Sequence, residues 1–465
     1  MRHQPAIVVR PTCSLSSAPS TPLAILALIA VIAVDPVVAQ SPGGTKGETP
    51  AKSAPTPVPA PLKGVAPTEA EVAAAVQTGV KFLVAQQSHY DFKSDTLRKP
   101  RRFKDEAAEK KWESEKRKLE SEFKQKNSGA PAEWPYEGVY RQGDGAIPVG
   151  YRVGGTAITC LALLAAPGFK ADAPRREAFE RGVAFCLTTL ESDPLIQQGF
   201  AGTYDTRGWG HTYGLMLCLH ALRVDAAPAL KPRLTAMVNK LVKTIEADEI
   251  VETGGWNYAR GRGADKPNAA STFMTPPTLQ ALFQAEAQGF KVKKDVIERA
   301  LKTLDDGRIS DGAYQYSSDP KRKKQSDVGG DTIAGSCARS AACETVLHLA
   351  GRGDPGRLRR SIDDFFACWG ELDKRRAQTG THIPPYMIAP YYFHFGHTYV
   401  AQAIEFLPES DRASYRAKMR EVYWMTREQD GSWNDRVFAR SAGFGTAMAT
   451  LGLSMQHLPA PSARN

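Results

Sequence analysis

This chain has no apolar run long enough to cross a bilayer, few cysteines, and none of the short motifs that hold nucleotides or structural zinc. An apolar stretch at residues 23–34 falls short of the ~20 residues that a spanning helix needs. Only 7 of the 465 residues are cysteine, and no Cys-x-x-Cys spacing occurs. A disulfide framework, which suits small domains, is therefore not expected. A Gly-rich loop ending in Gly-Lys-Ser/Thr is missing, as are zinc-finger spacings and the aromatic strand signature of RNA-binding modules. Nucleotide and nucleic-acid partners thus gain no support, although the formal net charge is +10. Charge of that sign attracts acidic ligands or surfaces and says nothing about fold.

What the N-terminus does contain is an export pattern. Arg2, His3 and Arg10 precede the run at 23–34, and Val37-Val38-Ala39 supplies small residues for cleavage. Residues 1–39 are read as a signal peptide, with an exported (periplasmic or extracellular) product. An uncleaved signal acting as an anchor is the alternative. Cys13 lies before the apolar run, where a lipoprotein signal would not place it. Cys160, Cys218, Cys337 and Cys343 fall inside apolar helical patterns and read as small buried hydrophobes. Residues 40–67 are rich in Pro, Ala, Gly, Ser and Thr and read as a disordered linker. No later stretch suggests a membrane span.

Beyond the linker, one phrase recurs where apolar helices begin. Gly210-His211-Thr212-Tyr213 opens one, and Gly396-His397-Thr398-Tyr399 opens another. Gly155-Thr156-Ala157 and Gly445-Thr446-Ala447 echo it, and Thr275 and Ser336 fill the gaps in a spacing of roughly 50–60 residues. Two kinds of helix alternate along this repeat. One is amphipathic and charged, as at 174–190, where Phe179, Val183, Cys186 and Leu187 form a single stripe. The other is nearly charge-free, as in TAITCLALLAA at 156–166, and has to be surrounded.

An open array needs polar terminal repeats, yet the first and last charge-free segments, 156–166 and 446–455, have no charged face. The expectation is an all-α protein, a closed α/α toroid of about six helical hairpins over residues 68–457. The segment 458–465 is left as a disordered tail. A charged insertion at 88–133 interrupts the first repeat. It reads as a solvated helix laced with i,i+4 pairs, or else as an arm that binds a protein partner through residues 98–126.

The loops between the two kinds of helix carry Glu133-Trp134-Pro135-Tyr136, Gly254-Gly255-Trp256-Asn257-Tyr258, Asp311-Gly312-Ala313-Tyr314 and Gln429-Asp430-Gly431-Ser432-Trp433. With the hairpin repeat, these resemble the protein prenyltransferase and squalene-cyclase repeat superfamily. The resemblance implies a toroid with an aromatic-lined central cavity. Triterpene cyclases of that superfamily protonate substrate from Asp-x-Asp-Asp-Thr-Ala. Here only Gly330-Asp331-Thr332-Ile333-Ala334 corresponds, with Asp331 in the last carboxylate place and Gly330 in that of the proton donor. Prenyltransferases hold zinc with an Asp, a Cys two residues later and a His. Cys337 and His397 match two of these, while Gly335 stands where the Asp should be. Two ligands fall short of a catalytic zinc site, so no metal and no cofactor are expected.

If the ring performs chemistry, its candidate catalytic residues are His211, His397 and Asp331. His211 and His397 open opposite hairpins of a six-membered ring, about 20 Å apart if neighbouring helix axes lie ~10 Å apart. They read as contacts to two ends of one ligand or as packed histidines. Asp331 reads as an acid, a base or a helix cap. Candidate ligand contacts are Trp209, Trp256, Tyr258, Tyr392, Tyr399 and Trp433, together with His394, three residues before His397, and Arg339, a charge within a charge-free helix. The function expected is binding of a small apolar or anionic ligand in the central cavity. A non-catalytic scaffold and a polysaccharide-active enzyme are the alternatives. The mouth where the inner helices begin is the expected ligand face.

Overall fold

The charged and charge-free segments fold as two concentric layers of helix. The computed structural model describes residues 64–90, 103–126, 131–142, 145–197, 205–258, 269–309, 311–318, 329–376, 378, 380–435 and 438–464. The expected signal peptide, residues 40–63 of the linker, and residues 91–102 and 127–130 of the insertion lie outside the described residues. In chain order the helices are α1 (Glu69–Ala85), α2 (Glu106–Lys126), α3 (Val149–Ala165), α4 (Ala173–Ser192), α5 (Arg207–Arg223), α6 (Lys231–Ala247) and α7 (Thr275–Ala287). They continue with α8 (Lys294–Gly307), α9 (Ile333–Leu349), α10 (Pro355–Arg376), α11 (Tyr392–Ile404), α12 (Glu409–Met425) and α13 (Ser441–Ser454). Among the described residues, β pairing is limited to isolated bridges.

The inner layer closes on itself. α3 packs on α5, α5 on α7, α7 on α9, α9 on α11, α11 on α13, and α13 returns to α3. The first and last charge-free helices are thus neighbours, as their lack of a polar face required. Outside them lie α1, α4, α6, α8, α10 and α12. Each outer helix turns one apolar stripe inward, as α8 does with Val296, Ile297, Ala300, Leu301 and Leu304. Inner α5, by contrast, is buried along almost its whole length. The start of α1 is fixed by a capping box, in which Thr68 Oγ1 accepts from Glu71 N and the Glu71 carboxylate accepts from Thr68 N.

A tryptophan clasp ties outer to inner helix in three hairpins. Trp134 N donates to Thr156 Oγ1 at 2.9 Å while its indole Nε1 donates to Leu83 O at 2.7 Å. Trp256 does the same to Thr275 Oγ1 (3.1 Å) and Ile245 O (2.7 Å). Trp433 repeats it with Thr446 Oγ1 (3.0 Å) and Tyr423 O (2.8 Å). Three of the recurring threonines, Thr156, Thr275 and Thr446, are therefore acceptors for a loop N–H, which explains why a hydroxyl recurs at those helix starts. A Cβ at Gly155 or Gly445 would lie 2.5 Å from the carbonyl oxygen of Trp134 or Trp433, so glycine precedes the threonine there.

Helix α2 has no buried residue between positions 106 and 122. It carries the i,i+4 pairs Glu106–Lys110, Glu113–Arg117 and Lys116–Glu120, each contributing a few tenths of a kcal/mol at most. All six cysteines among the described residues are free thiols, with Cys368 half-buried and the others buried. No helix among the described residues is long and apolar enough to cross a membrane.

Candidate functional site

The two copies of the Gly-His-Thr-Tyr phrase send their four residues in four directions. Adjacent helical residues project about 100° apart, so His and Tyr, two positions apart, face nearly opposite sides. Gly210 and Gly396 face the preceding inner helix, where a Cβ would come within 3.1 Å of Gly150 Cα and 3.0 Å of Ala338 Cα. The threonines face the next inner helix: the Thr212 hydroxyl lies 2.8 Å from that of Thr278, and Thr398 Oγ1 donates to Met448 O at 3.0 Å.

The histidines point outward. His211 Nε2 donates to Ile196 O at 2.8 Å, and its Nδ1 lies 3.4 Å from Asp248 Oδ2. His397 Nδ1 donates to Phe393 O at 2.6 Å, and Nε2 accepts from Trp369 Nε1 of α10 at 2.9 Å. Burial pushes the His397 pKa down to about 3, against the hydrogen bond to Phe393. The tyrosines point to the axis, where Tyr213 Oη and Tyr399 Oη meet at 3.2 Å.

At the end where the inner helices begin, the ring is filled with aromatic side chains. Trp209 stacks on Phe273 at 5.9 Å, Phe273 lies 4.2 Å from Phe395, and Tyr136 lies 4.6 Å from Phe444 (ring centroids). Phe273 also touches Tyr391 and Tyr392. The hydroxyls of Tyr258 and Tyr391 are 3.3 Å apart, and Tyr136 donates to Asp435 Oδ2 at 3.2 Å.

The remaining sequence candidates sit in or around this packing. Asp331 is buried, with Oδ1 accepting from Tyr316 N at 2.9 Å; the helix cap is Thr332, which accepts from Gly335 N at 3.0 Å. Arg339 is buried as well. Its Nε donates to Thr272 Oγ1 at 2.9 Å, and its Nη atoms donate to the carbonyls of Gly335 (2.5 Å), Gly330 (2.5 Å) and Tyr314 (2.8 Å). It ties α9 to the loops before it. His394 is fully enclosed, and burial, with His397 nearby, holds its pKa well below the usual range. Cys337 Sγ donates to Ala334 O at 3.2 Å, and among the described residues no group of three His, Cys, Asp or Glu converges as a metal site would require.

The open space lies at the opposite end. A cavity of about 790 Å³ is lined by the middle and C-terminal turns of α3, α5, α7, α11 and α13, which therefore run in one sense. Its walls are Ile158, Leu161 and Leu164 of α3, Met216 of α5, and Met448 and Leu451 of α13, and Tyr213 and Tyr399 also line it. Gln280 of α7 donates to Gln402 of α11 at 2.7 Å, bridging two helices that are not ring neighbours. Gln284, His220, Arg223 and Lys170 supply the other polar and charged side chains, with Thr398 and Ser462 adding hydroxyls; among the described residues no Asp, Glu or Cys lines the space. Arg223 Nη2 donates to His220 Nδ1 at 3.0 Å. Burial and that guanidinium push the His220 pKa down to about 3, against a hydrogen bond with Gln284.

The C-terminal segment borders the cavity through Leu458, Pro459, Pro461 and Ser462. It is held where Arg464 N donates to Leu349 O at 2.9 Å and Arg464 pairs with Glu298.

Of the candidate catalytic and ligand-contact residues, Tyr399 alone lines this cavity, beside Tyr213 and Thr398 of the recurring phrase. Sequence reasoning passed over Gln280, Gln284 and Gln402, whose signal was an uncharged polar side chain recurring inside otherwise apolar helices.

No protein-family model matches the chain, and no curated protein matches it either. Among solved structures, it is similar to the type II terpene cyclase MstE from Scytonema, at 13% identity and TM-score 0.45 over 83% of this chain and 98% of that one. It is also similar to the GH76A α-1,6-mannanase from Salegentibacter sp. HEL1_6, at 11% identity and TM-score 0.43 over 70% and 96%. A D-mannose isomerase matches at 9% identity and TM-score 0.47 over 84% and 98%.

Proposed function

We propose that this chain is an exported binding protein that holds a small apolar molecule inside its helical ring. The observation that carries this reading is the cavity of about 790 Å³ with aliphatic and methionine walls, within the roughly 300–1,000 Å³ of small-molecule sites. Apolar surface of that extent is favourably covered by ligand, at about 25 cal/mol per Å² removed from water. Export rests on the pattern in residues 1–39, and the resemblance to prenyltransferase and squalene-cyclase repeats agrees with an apolar ligand. The cavity lining offers no carboxylate pair of the kind glycoside hydrolysis uses, so a polysaccharide-active reading gains nothing from it.

The test is extraction of purified full-length protein with organic solvent, followed by mass spectrometry. An apolar compound should be released, and Leu451→Trp, which fills the cavity, should abolish its retention while leaving the melting temperature within a few degrees. Retention undiminished in L451W would overturn the proposal. A second role, as a protein-binding arm, is favoured by one observation, the wholly unburied face of α2. Deleting residues 98–126 should then remove a partner and leave ligand retention intact.

A further inference from the structure

The cavity has a depth, a closed floor and a charged rim, and together these specify a class of ligand. Tyr213 and Arg223 both line it from α5. They are ten residues apart, so the cavity runs about 15 Å along that helix at 1.5 Å per residue. One leaflet of a bilayer has the same hydrocarbon depth, half of ~30 Å, so the length suits a single extended alkyl chain. The hydroxyls of Tyr213 and Tyr399 pair with each other at the floor, one donating and one accepting.

The rim carries charge of one sign. Arg223 ends α5, Lys170 follows the end of the neighbouring α3, and among the described residues neither forms an ion pair. A helix C-terminus carries about half a negative charge, which disfavours anions. At α3 that charge is already met by Arg175, which donates to Leu163 O at 2.6 Å and Pro167 O at 3.0 Å. Lys170 and Arg223 are left facing the mouth. The hydrogen bond from Arg223 to His220 Nδ1 orients the guanidinium and requires that nitrogen to be unprotonated.

We infer that the cavity takes single-chain anionic amphiphiles, with the alkyl chain along Met216, Met448 and Leu451 and a carboxylate or phosphate head at Arg223 and Lys170. This inference rests on the proposed binding function and narrows it to a ligand class.

The test uses full-length protein and four probes that share one chain: dodecanoate, dodecyl phosphate, dodecanol and dodecyltrimethylammonium, titrated calorimetrically at low and high salt. Dodecanoate or dodecyl phosphate should bind about tenfold or more tighter than dodecanol, as charge-assisted hydrogen bonds require, and the cationic probe should bind weakest. The tighter of the two anions identifies the head, carboxylate or phosphate. Arg223→Gln should erase most of the preference for the anions over dodecanol. Equal binding of anion, alcohol and cation would overturn the headgroup assignment while sparing the apolar cavity. Binding of none of the four would overturn the cavity reading itself. If R223Q folds poorly, the wild-type order of the four probes and its loss in high salt decide the question without the variant.

Discussion

Tyr213 and Tyr399 place their hydroxyls 3.2 Å apart across the ring axis although 186 residues separate them in the chain. Each belongs to a copy of the same four-residue phrase. The repeat has therefore brought identical side chains face to face, one on each side of the axis, between the aromatic end and the cavity.

That pair is a measurable coupling. Tyr213→Phe or Tyr399→Phe alone should cost about 1 kcal/mol in denaturant unfolding, because the partner hydroxyl loses its hydrogen bond while buried. The double variant should cost clearly less than the sum, since neither hydroxyl is then left unpaired. Strict additivity in a double-mutant cycle would mean the contact contributes nothing.

His397 should make stability depend on pH. Its pKa is pushed from an ordinary 6.5 to about 3 by burial. The unfolded chain takes up this proton below about 6.5, whereas the folded chain does so only near 3. This contribution is thus fully present above about 6.5 and is lost as pH falls toward 3, with a slope of up to about 1.4 kcal/mol per pH unit. Urea midpoints should fall in the wild type as pH drops from about 6.5 to about 4.5, and fall less steeply in His397→Gln, where the buried His220 and His394 still contribute their share of the slope. The same variant should retain dodecanoate binding, because His397 faces Trp369 rather than the cavity.

The tryptophan clasps should be energetically alike. Thr156→Val, Thr275→Val and Thr446→Val each leave a buried tryptophan N–H without its acceptor. Each should cost about 1–3 kcal/mol, measured by thermal or urea unfolding. A neutral result at all three would remove the clasp as a reason for the recurring hydroxyl.

Two glycines make an opposed pair. A Cβ at Gly154 would lie 2.0 Å from Trp209 Cδ1, whereas at Gly443 in α13 nothing lies within 4 Å. Gly154→Ala should destabilise by about 1–3 kcal/mol through overpacking. Gly443→Ala should stabilise by roughly 0.4–1 kcal/mol through a less flexible unfolded chain.

The layers were legible in the sequence because each helix announces its own surroundings. Charge on one face of 174–190 needs water there, and the charge-free 156–166 needs covering on all sides. Ring closure followed from the same reasoning applied to the two terminal inner helices. The cavity was harder to read, since every position of Gly-His-Thr-Tyr looks equally distinctive in sequence. Which of the four faces the axis depends on helix phase relative to the neighbours, and Tyr399 lies two residues, or about 200°, from His397. Which end of the ring stays open depends on how large aromatics such as Trp209, Phe273 and Phe444 pack, and their meeting joins segments far apart in the chain.

The join between the two ends of the ring has a consequence during synthesis. α13 covers a flank of α3, Gln456 donates to Glu69 at 3.2 Å, and Arg420 pairs with Glu69 at 2.6 Å. Everything α3 needs on that side is encoded nearly 300 residues later, at 441–454. Until the ribosome has delivered those residues, the growing chain carries a bare hydrophobic edge of the kind that aggregates.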